Sequence, residues 1–283
     1  MNIGIDIGGS HIAVGIVQDG KIISKSEIDI NYSEILKIED YIRDTLVSLI
    51  NNVLTNCGKP NGKIEKIGIG FPSEVENNII NNNNKFNLVN YDLVSELRKI
   101  YHTDIYIEND ATCAALAESK YGSLKNIKNG VFLCFGTGVG GVTIKDDKVT
   151  NSEYGHIMLD EVQETFENIA SMKYFKNKVK EILEDEEIQS ENILELLLNN
   201  KDNAKINYII DIYIENMIVG ILHIEKLLNS EAICLGGSFV YYKEILYKRL
   251  IQSMKLLGHE KIAKKIVLAK LNNDAGIIGA SLL

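Results

Sequence analysis

Apolar and polar positions alternate at the start of the chain. In N-I-G-I-D-I (2–7) isoleucines fall at 3, 5 and 7, and H-I-A-V-G-I-V (11–17) is an almost unbroken apolar run. A period of two in short runs predicts strands. Asp19-Gly20 is a hairpin signal, because both residues tolerate positive φ, and K-I-I-S-K-S-E-I (21–28) follows it as a third strand. The apolar spacing over 33–56 then predicts a helix, which leads to the strand K-I-G-I-G-F (66–71). A further helix–strand pair follows, L-V-S-E-L-R-K-I and then D-I-Y-I-E-N (104–109).

The second half repeats the order. Residues 130–150 give G-V-F-L-C-F, then G-G-V-T-I-K and, after Asp146-Asp147, K-V-T. Helices through 207–228 lead to A-I-C-L-G-G (232–237), and Y-K-E-I-L-Y-K-R-L leads to K-I-V-L-A-K-L. Two copies of a strand-strand-strand-helix-strand-helix-strand unit predict a duplicated α/β protein with two domains and a ligand cleft. The order of elements places an N-terminal α/β domain at 1–109 plus 274–283 and a C-terminal α/β domain at 110–273.

Composition narrows the partners. The formal charge of −9 and the lack of a lysine- or arginine-dense stripe disfavour nucleic acid, because binding a phosphate backbone needs clustered cations. Met1 leads directly into a strand, so no preceding DNA-binding domain is expected. Cys57, Cys113, Cys134 and Cys234 are scattered, which predicts free thiols and a cytoplasmic setting. The apolar segment 207–228 carries Asp211, Glu215, Asn216, His223 and Glu225, so a buried helix is expected and no membrane span. The asparagine-rich stretch 77–87 reads as a surface loop, and the acidic run Glu184 to Glu187 as a solvated helix face.

The candidate chemistry begins at the glycine turns. Gly136-Thr137-Gly138-Val139-Gly140-Gly141 satisfies G-x-G-x-x-G, but V-T-I-K alternates after it. A dinucleotide fingerprint needs a helix to open there, so a hairpin is expected instead. Gly8-Gly9-Ser10 forms the matching turn in the first half. Such turns cradle phosphate by converging backbone N–H groups on an anion. Asp6 at the mouth of the first turn would repel phosphate on its own, which suggests a bridging Mg2+ held through water.

Several motifs then occur in order: D-I-G-G-S-H-I-A-V-G-I-V, I-E-N-D-A-T-C-A-A-L-A-E at 107–118, F-G-T-G-V-G-G at 135–141, E-Y-G-H at 153–156, L-G-G-S at 235–238 and D-A-G-I-I-G-A-S at 274–281. Together they resemble the ROK family of bacterial sugar kinases and related repressors, built on the duplicated actin/hexokinase-like (ribonuclease H-like) fold. The resemblance implies ATP and Mg2+ as cofactors, Asp110 as catalytic base and Asn109 beside it on sugar hydroxyls. A helix-capping role for Asn109 or Asp110 is the alternative on the residues alone. It also implies sugar contacts from Glu153, His156, Glu167 and Asn87. Phosphate and nucleotide contacts are implied for Asp6, Gly8, Gly9, Ser10, Gly136, Thr137, Gly138, Gly236 and Gly237. Family members are commonly dimers, so a homodimer is expected.

The chain also departs from the family pattern. The cysteine cluster that holds zinc in many members is absent from 157–166, so zinc is not expected; Asp160, Glu161 or Glu164 would be poor substitutes for thiolates. Ser10-His11 replaces the usual Thr-Lys, and Pro72-Ser73 the usual Pro-Gly. Without zinc, the second nitrogen of His156 needs a partner, and a backbone carbonyl or Glu164 is expected to supply it. The activity implied is ATP-dependent phosphorylation of a hexose or N-acylhexosamine at a primary hydroxyl, O6, with a glucokinase first. An N-acetylmannosamine kinase of sialic acid catabolism and a sugar-sensing regulator without catalysis are the alternatives.

Overall fold

The computed structural model describes residues 1–32, 35–81, 86–160, 163–184, 188–189 and 192–283. The middle of the asparagine-rich stretch, Glu161, and Asp185 to Glu187 of the acidic run lie outside the described residues. The chain divides into two compact units, Met1–Lys125 with Asn273–Leu283, and Asn126–Asn272.

In the first unit β1 (Asn2–Ile7), β2 (His11–Gln18) and β3 (Lys21–Asp29) form the expected meander. Helix α1 (Ile38–Asn56) follows, then β4 (Lys66–Phe71), the short pair β5 (Val75–Glu76) and β6 (Ile79–Ile80), α2 (Leu93–Tyr101), β7 (Asp104–Asn109) and α3 (Asp110–Tyr121). The five-stranded sheet runs β3-β2-β1-β4-β7, antiparallel through the meander and parallel from β1 onward. The period of two in β1 explains its burial. Ile3, Ile5 and Ile7 enter a core shared with Ile42, Leu46, Ile50 and Val53 of α1, each fully buried side chain contributing about 1.5–3 kcal/mol. Gly4 and Asp6 alternate with them and lie against residues 276–277.

The second unit repeats this topology. Strands β8 (Asn129–Phe135), β9 (Val139–Lys145) and β10 (Lys148–Asn151) form the meander, followed by the short pair β11 (Met158–Leu159) and β12 (Glu164–Thr165). Helices α4 (Phe166–Ala170), α5 (Met172–Leu183), α6 (Ile193–Asn199) and α7 (Ala204–Leu228) precede β13 (Ala232–Gly237). After it come α8 (Lys248–Leu256), α9 (Glu260–Ala263), β14 (Ile266–Leu268) and α10 (Ala275–Ala280), which belongs to the first unit. The sheet order β10-β9-β8-β13-β14 matches β3-β2-β1-β4-β7 strand for strand. The G-x-G-x-x-G turn joins two antiparallel strands, with Phe135 paired to Val139, so it is the expected hairpin and no helix opens there.

Three expectations shift. The first helix begins at Ile38 rather than 33. The helix expected over 242–250 starts as a tight turn over Ser238–Tyr242 and a wider one over Lys243–Tyr247, and becomes α-helical only at Lys248. The domain division also differs, since α3 packs with the first unit although the element order had assigned it to the second. The cause is close approach: a Cβ on Gly279 of α10 would stand 1.6 Å from the Cys113 carbonyl of α3, so the two helices touch backbone to backbone.

One buried charge closes the end of α7. Glu225 is 6% exposed and accepts hydrogen bonds from Ser230 N at 3.1 Å and Ser230 Oγ at 2.6 Å, and it pairs with Lys265. Lys265→Met removes the cation and leaves a desolvated carboxylate. The expected loss is about 2–4 kcal/mol, partial exposure of the lysine moderating it, and a lowered urea midpoint without a change in slope would show it.

Candidate active site

In each sheet the candidate residues gather where parallel strands end, the edge at which open α/β sheets bind ligands. Asp6 lies next to the last residue of β1 and pairs with Gly70 of β4, and Phe71 pairs with Asn109 at the end of β7. In the second unit Phe135 ends β8 opposite Gly237 of β13.

The first turn is tight because Gly8 N donates to His11 O at 2.8 Å, while Tyr32 donates its hydroxyl to Gly8 O at 3.1 Å. The His11 ring lies over Gly8, where a Cβ would come within 2.6 Å of it. His11 Nε2 stands 3.9 Å from Asp6 Oδ2. The Asp6 carboxylate raises the His11 pKa above its ordinary value against the opposing effect of burial. Ser10 is exposed beside it and Gly9 is half-buried.

At the end of β7 the capping alternative is realised by Asn109. Its Oδ1 accepts from Thr112 N at 3.1 Å and its Nδ2 donates to Ser73 O at 3.4 Å, so it both starts α3 and ties it to the loop after β4. Asp110 is the first residue of the helix and half-buried, with Oδ1 accepting from Ala111 N at 2.7 Å. Asn87 is exposed at φ 51°, between the buried Phe86 and Leu88, and Phe86 meets Tyr32 edge to face and Phe71 at a tilt.

In the second unit E-Y-G-H forms a single tight turn over Tyr154–His156 laid on the glycine hairpin. A Cβ at Gly155 would stand 2.1 Å from Val139 O, so only glycine permits the approach. Tyr154 is buried, with its hydroxyl 2.6 Å from Thr143 Oγ1. Glu153 adopts a left-handed conformation at φ 44°, and Asn151 braces it: Asn151 Nδ2 donates to Glu153 Oε1 at 2.6 Å, and Glu153 N donates to Asn151 Oδ1 at 3.3 Å.

His156 stands between two carboxylates, Nδ1 3.6 Å from Glu153 Oε2 and Nε2 3.7 Å from Glu167 Oε1. Glu164, expected as its partner, instead accepts from Asn168 Nδ2 of α4 at 3.0 Å. Glu167 Oε2 accepts from Val139 N at 3.4 Å, which brings the glutamate of α4 onto the hairpin of Gly136 to Gly141. Thr137 is exposed at the hairpin tip, and Gly136 has open space around it. Gly237 takes φ 71° as β13 turns, beside the Phe135 carbonyl that accepts from Ser238 Oγ at 3.3 Å. Val139 N, Asn151 and Ser238 were not singled out from sequence. A backbone donor carries no residue signature, and the bracing role of Asn151 depends on the left-handed turn at Glu153.

Among the described residues no group of three or more His, Cys, Asp or Glu could hold a metal ion, and no helix is long and apolar enough to cross a membrane. The four cysteines form no disulfide, and burial pushes the Cys113 thiol well up.

The ROK family model matches residues 2–283. The chain belongs to the ROK family. Within that family it is 28% identical to an uncharacterised protein of Clostridium perfringens over 98% of this chain and 95% of the other. It is 24% identical to the glucokinase of Thermotoga maritima, over 99% and 95% respectively. The xylose repressor of Caldicellulosiruptor bescii is 23% identical, over 98% of this chain but 76% of that protein. The ROK fold is shared with the glucokinase of Streptomyces griseus in complex with glucose and AMPPNP, with a TM-score of 0.83 at 19% identity, covering 99% of this chain and 97% of that one. It is shared also with a Listeria monocytogenes protein provisionally assigned as an N-acetylmannosamine kinase, with a TM-score of 0.81 at 22% identity, covering 100% and 98%. The cysteine cluster of many ROK members is absent here.

Proposed function

We propose that this ROK protein is an ATP-dependent sugar kinase that phosphorylates a hexose at its primary hydroxyl, O6, with glucose the first substrate. The observation that carries the reading is the convergence of Glu153, His156 and Glu167 against a glycine hairpin. Two carboxylates accept hydrogen bonds and an imidazole gives or takes one, a set that suits adjacent sugar hydroxyls. The likeness to glucokinases along the full chain supports the choice of acceptor. Each unit is then a ribonuclease H-like half of an actin/hexokinase-like duplication.

In this reading Asp110 aligns the attacking hydroxyl and accepts its proton, and Asn109 holds a neighbouring hydroxyl by the Nδ2 that now reaches Ser73. Gly9, Ser10, Thr137 and Gly138 offer their amides and hydroxyls to the phosphates, Gly8 and Gly136, whose N–H groups close the turns, let the phosphates approach the backbone, and Gly236-Gly237 flank the nucleoside. Asp6 is a single partly exposed carboxylate at a glycine turn, which suits Mg2+ held through water better than an all-protein cage. When bound, that ion neutralises phosphate charge. Asn87 is a further sugar contact.

A second acceptor, N-acetylmannosamine, is kept by the likeness along the full chain to the Listeria monocytogenes protein. Regulation without catalysis is disfavoured by the charge of −9, although xylose repressors are relatives. A coupled ADP-release assay over hexoses and N-acylhexosamines separates these readings. Glucose should give the highest kcat/KM. No turnover with any of these sugars overturns the kinase, and an ATPase rate indifferent to sugar points to nucleotide hydrolysis alone.

A further inference from the structure

In the second unit the carboxylate assigned to the sugar is lodged in the hairpin assigned to phosphate. Glu167 Oε2 accepts from Val139 N at 3.4 Å, and a Cβ on Gly138 would stand 2.5 Å from the same oxygen. The other oxygen faces His156 Nε2 at 3.7 Å. The helix behind it is pinned: Tyr213 donates its hydroxyl to Ala170 O at 2.9 Å, and Asn216 Nδ2 donates to Ile169 O at 2.9 Å. Rotation of the Glu167 side chain, rather than movement of α4, is therefore the means of leaving the hairpin. The side chain is 33% exposed, so a hydroxyl-bearing ligand can reach it.

We propose that Glu167 makes nucleotide binding conditional on sugar. The inference rests on the sugar-kinase reading above. A glycine turn binds phosphate by pointing N–H groups at an anion, and a carboxylate on one of those groups both occupies the donor and repels the anion. As placed, Glu167 occupies Val139 N, the amide that follows the phosphate-assigned Gly138, and sets a carboxylate beside that glycine. A sugar hydroxyl donates to the carboxylate, draws it off, and returns the amide to the phosphates. The phosphoryl donor is then held productively only when its acceptor is present, which limits wasteful hydrolysis. Linkage requires that nucleotide and sugar tighten each other by the same factor.

Titration calorimetry of Mg-AMPPNP into the full chain without sugar tests this. Glu167→Gln keeps the shape of the side chain and removes its charge, and is expected to bind about tenfold tighter than wild type, the scale of one charge-assisted hydrogen bond. Glu164→Gln removes a nearby carboxylate that bonds Asn168 rather than the hairpin, and should stay within about twofold. Glu167→Ala must show the same gain if the glutamine variant melts below the wild type. A Glu167→Gln affinity no tighter than wild type overturns the proposal and leaves the kinase reading standing. Equal tightening by Glu164→Gln also overturns it, since net charge rather than the Val139 contact would then be responsible. Absence of AMPPNP binding in all these proteins overturns both.

Discussion

Asp110→Asn is expected to lower kcat by about 10²–10⁴, the usual contribution of a positioned general base, while the sugar Kd changes by less than about threefold, under roughly 0.7 kcal/mol. Asparagine keeps an oxygen to accept from Ala111 N, now bonded to Asp110 Oδ1 at 2.7 Å, and the helix cap is the neighbouring Asn109. The fold should therefore survive and the melting temperature hold. In the proposed reading the variant loses the oxygen that takes the proton from the attacking hydroxyl. Equal losses in kcat and kcat/KM would place the interaction in the transition state. Retained turnover would remove Asp110 from the base role, and a loss confined to KM would make it a binding residue.

The second large effect concerns folding. Gly68→Ala places a Cβ 1.7 Å from the carbonyl oxygen of Ala280, and Gly4, its partner across the parallel β1–β4 pair, faces Ile277 O at 1.8 Å in the same way. Both glycines lie under α10, the segment that returns to the first unit after the second is complete. The obstacles are backbone atoms, which cannot rotate aside as a side chain would. Helix α10 must lift from the sheet and give up burial of Ile277, Ile278 and Ala280. Overpacking of this kind costs about 3 kcal/mol or more, enough to consume much of the roughly 5–15 kcal/mol stability of an ordinary protein. A strongly lowered urea midpoint or failure to accumulate in soluble form is expected; wild-type stability would show that α10 packs more loosely than described.

Much of this architecture was legible because two periods carry it. The isoleucines at 3, 5 and 7 announce β1, and the repeated meander announces the duplication that the two five-stranded sheets display. The hairpin nature of G-T-G-V-G-G was legible too, from the alternation after it. The domain edge was harder. Whether α3 belongs with what precedes it or follows it depends on Gly279 meeting the Cys113 carbonyl, a contact between residues far apart in sequence. The irregular start of the segment leading into α8 was hidden as well, since Lys243–Tyr247 has ordinary helix-forming residues and its wider turns have no compositional mark.

The candidate site divides along the same line. The motif residues are readable one by one, but the position of His156 between Glu153 and Glu167, rather than beside Glu164, depends on how α4 meets the hairpin. The acceptance of a Val139 amide by Glu167 is a backbone contact that side-chain spacing does not encode.

The central claim is transfer of a phosphoryl group to a sugar's primary hydroxyl, and phosphorus NMR of the wild-type reaction with ATP, Mg2+ and glucose tests it most directly. The expected product is a monophosphate ester whose signal is split into a triplet by the two protons on C6, growing as the γ-phosphate signal disappears. A signal from inorganic phosphate alone, growing at the same rate with and without glucose or N-acetylmannosamine, would contradict it.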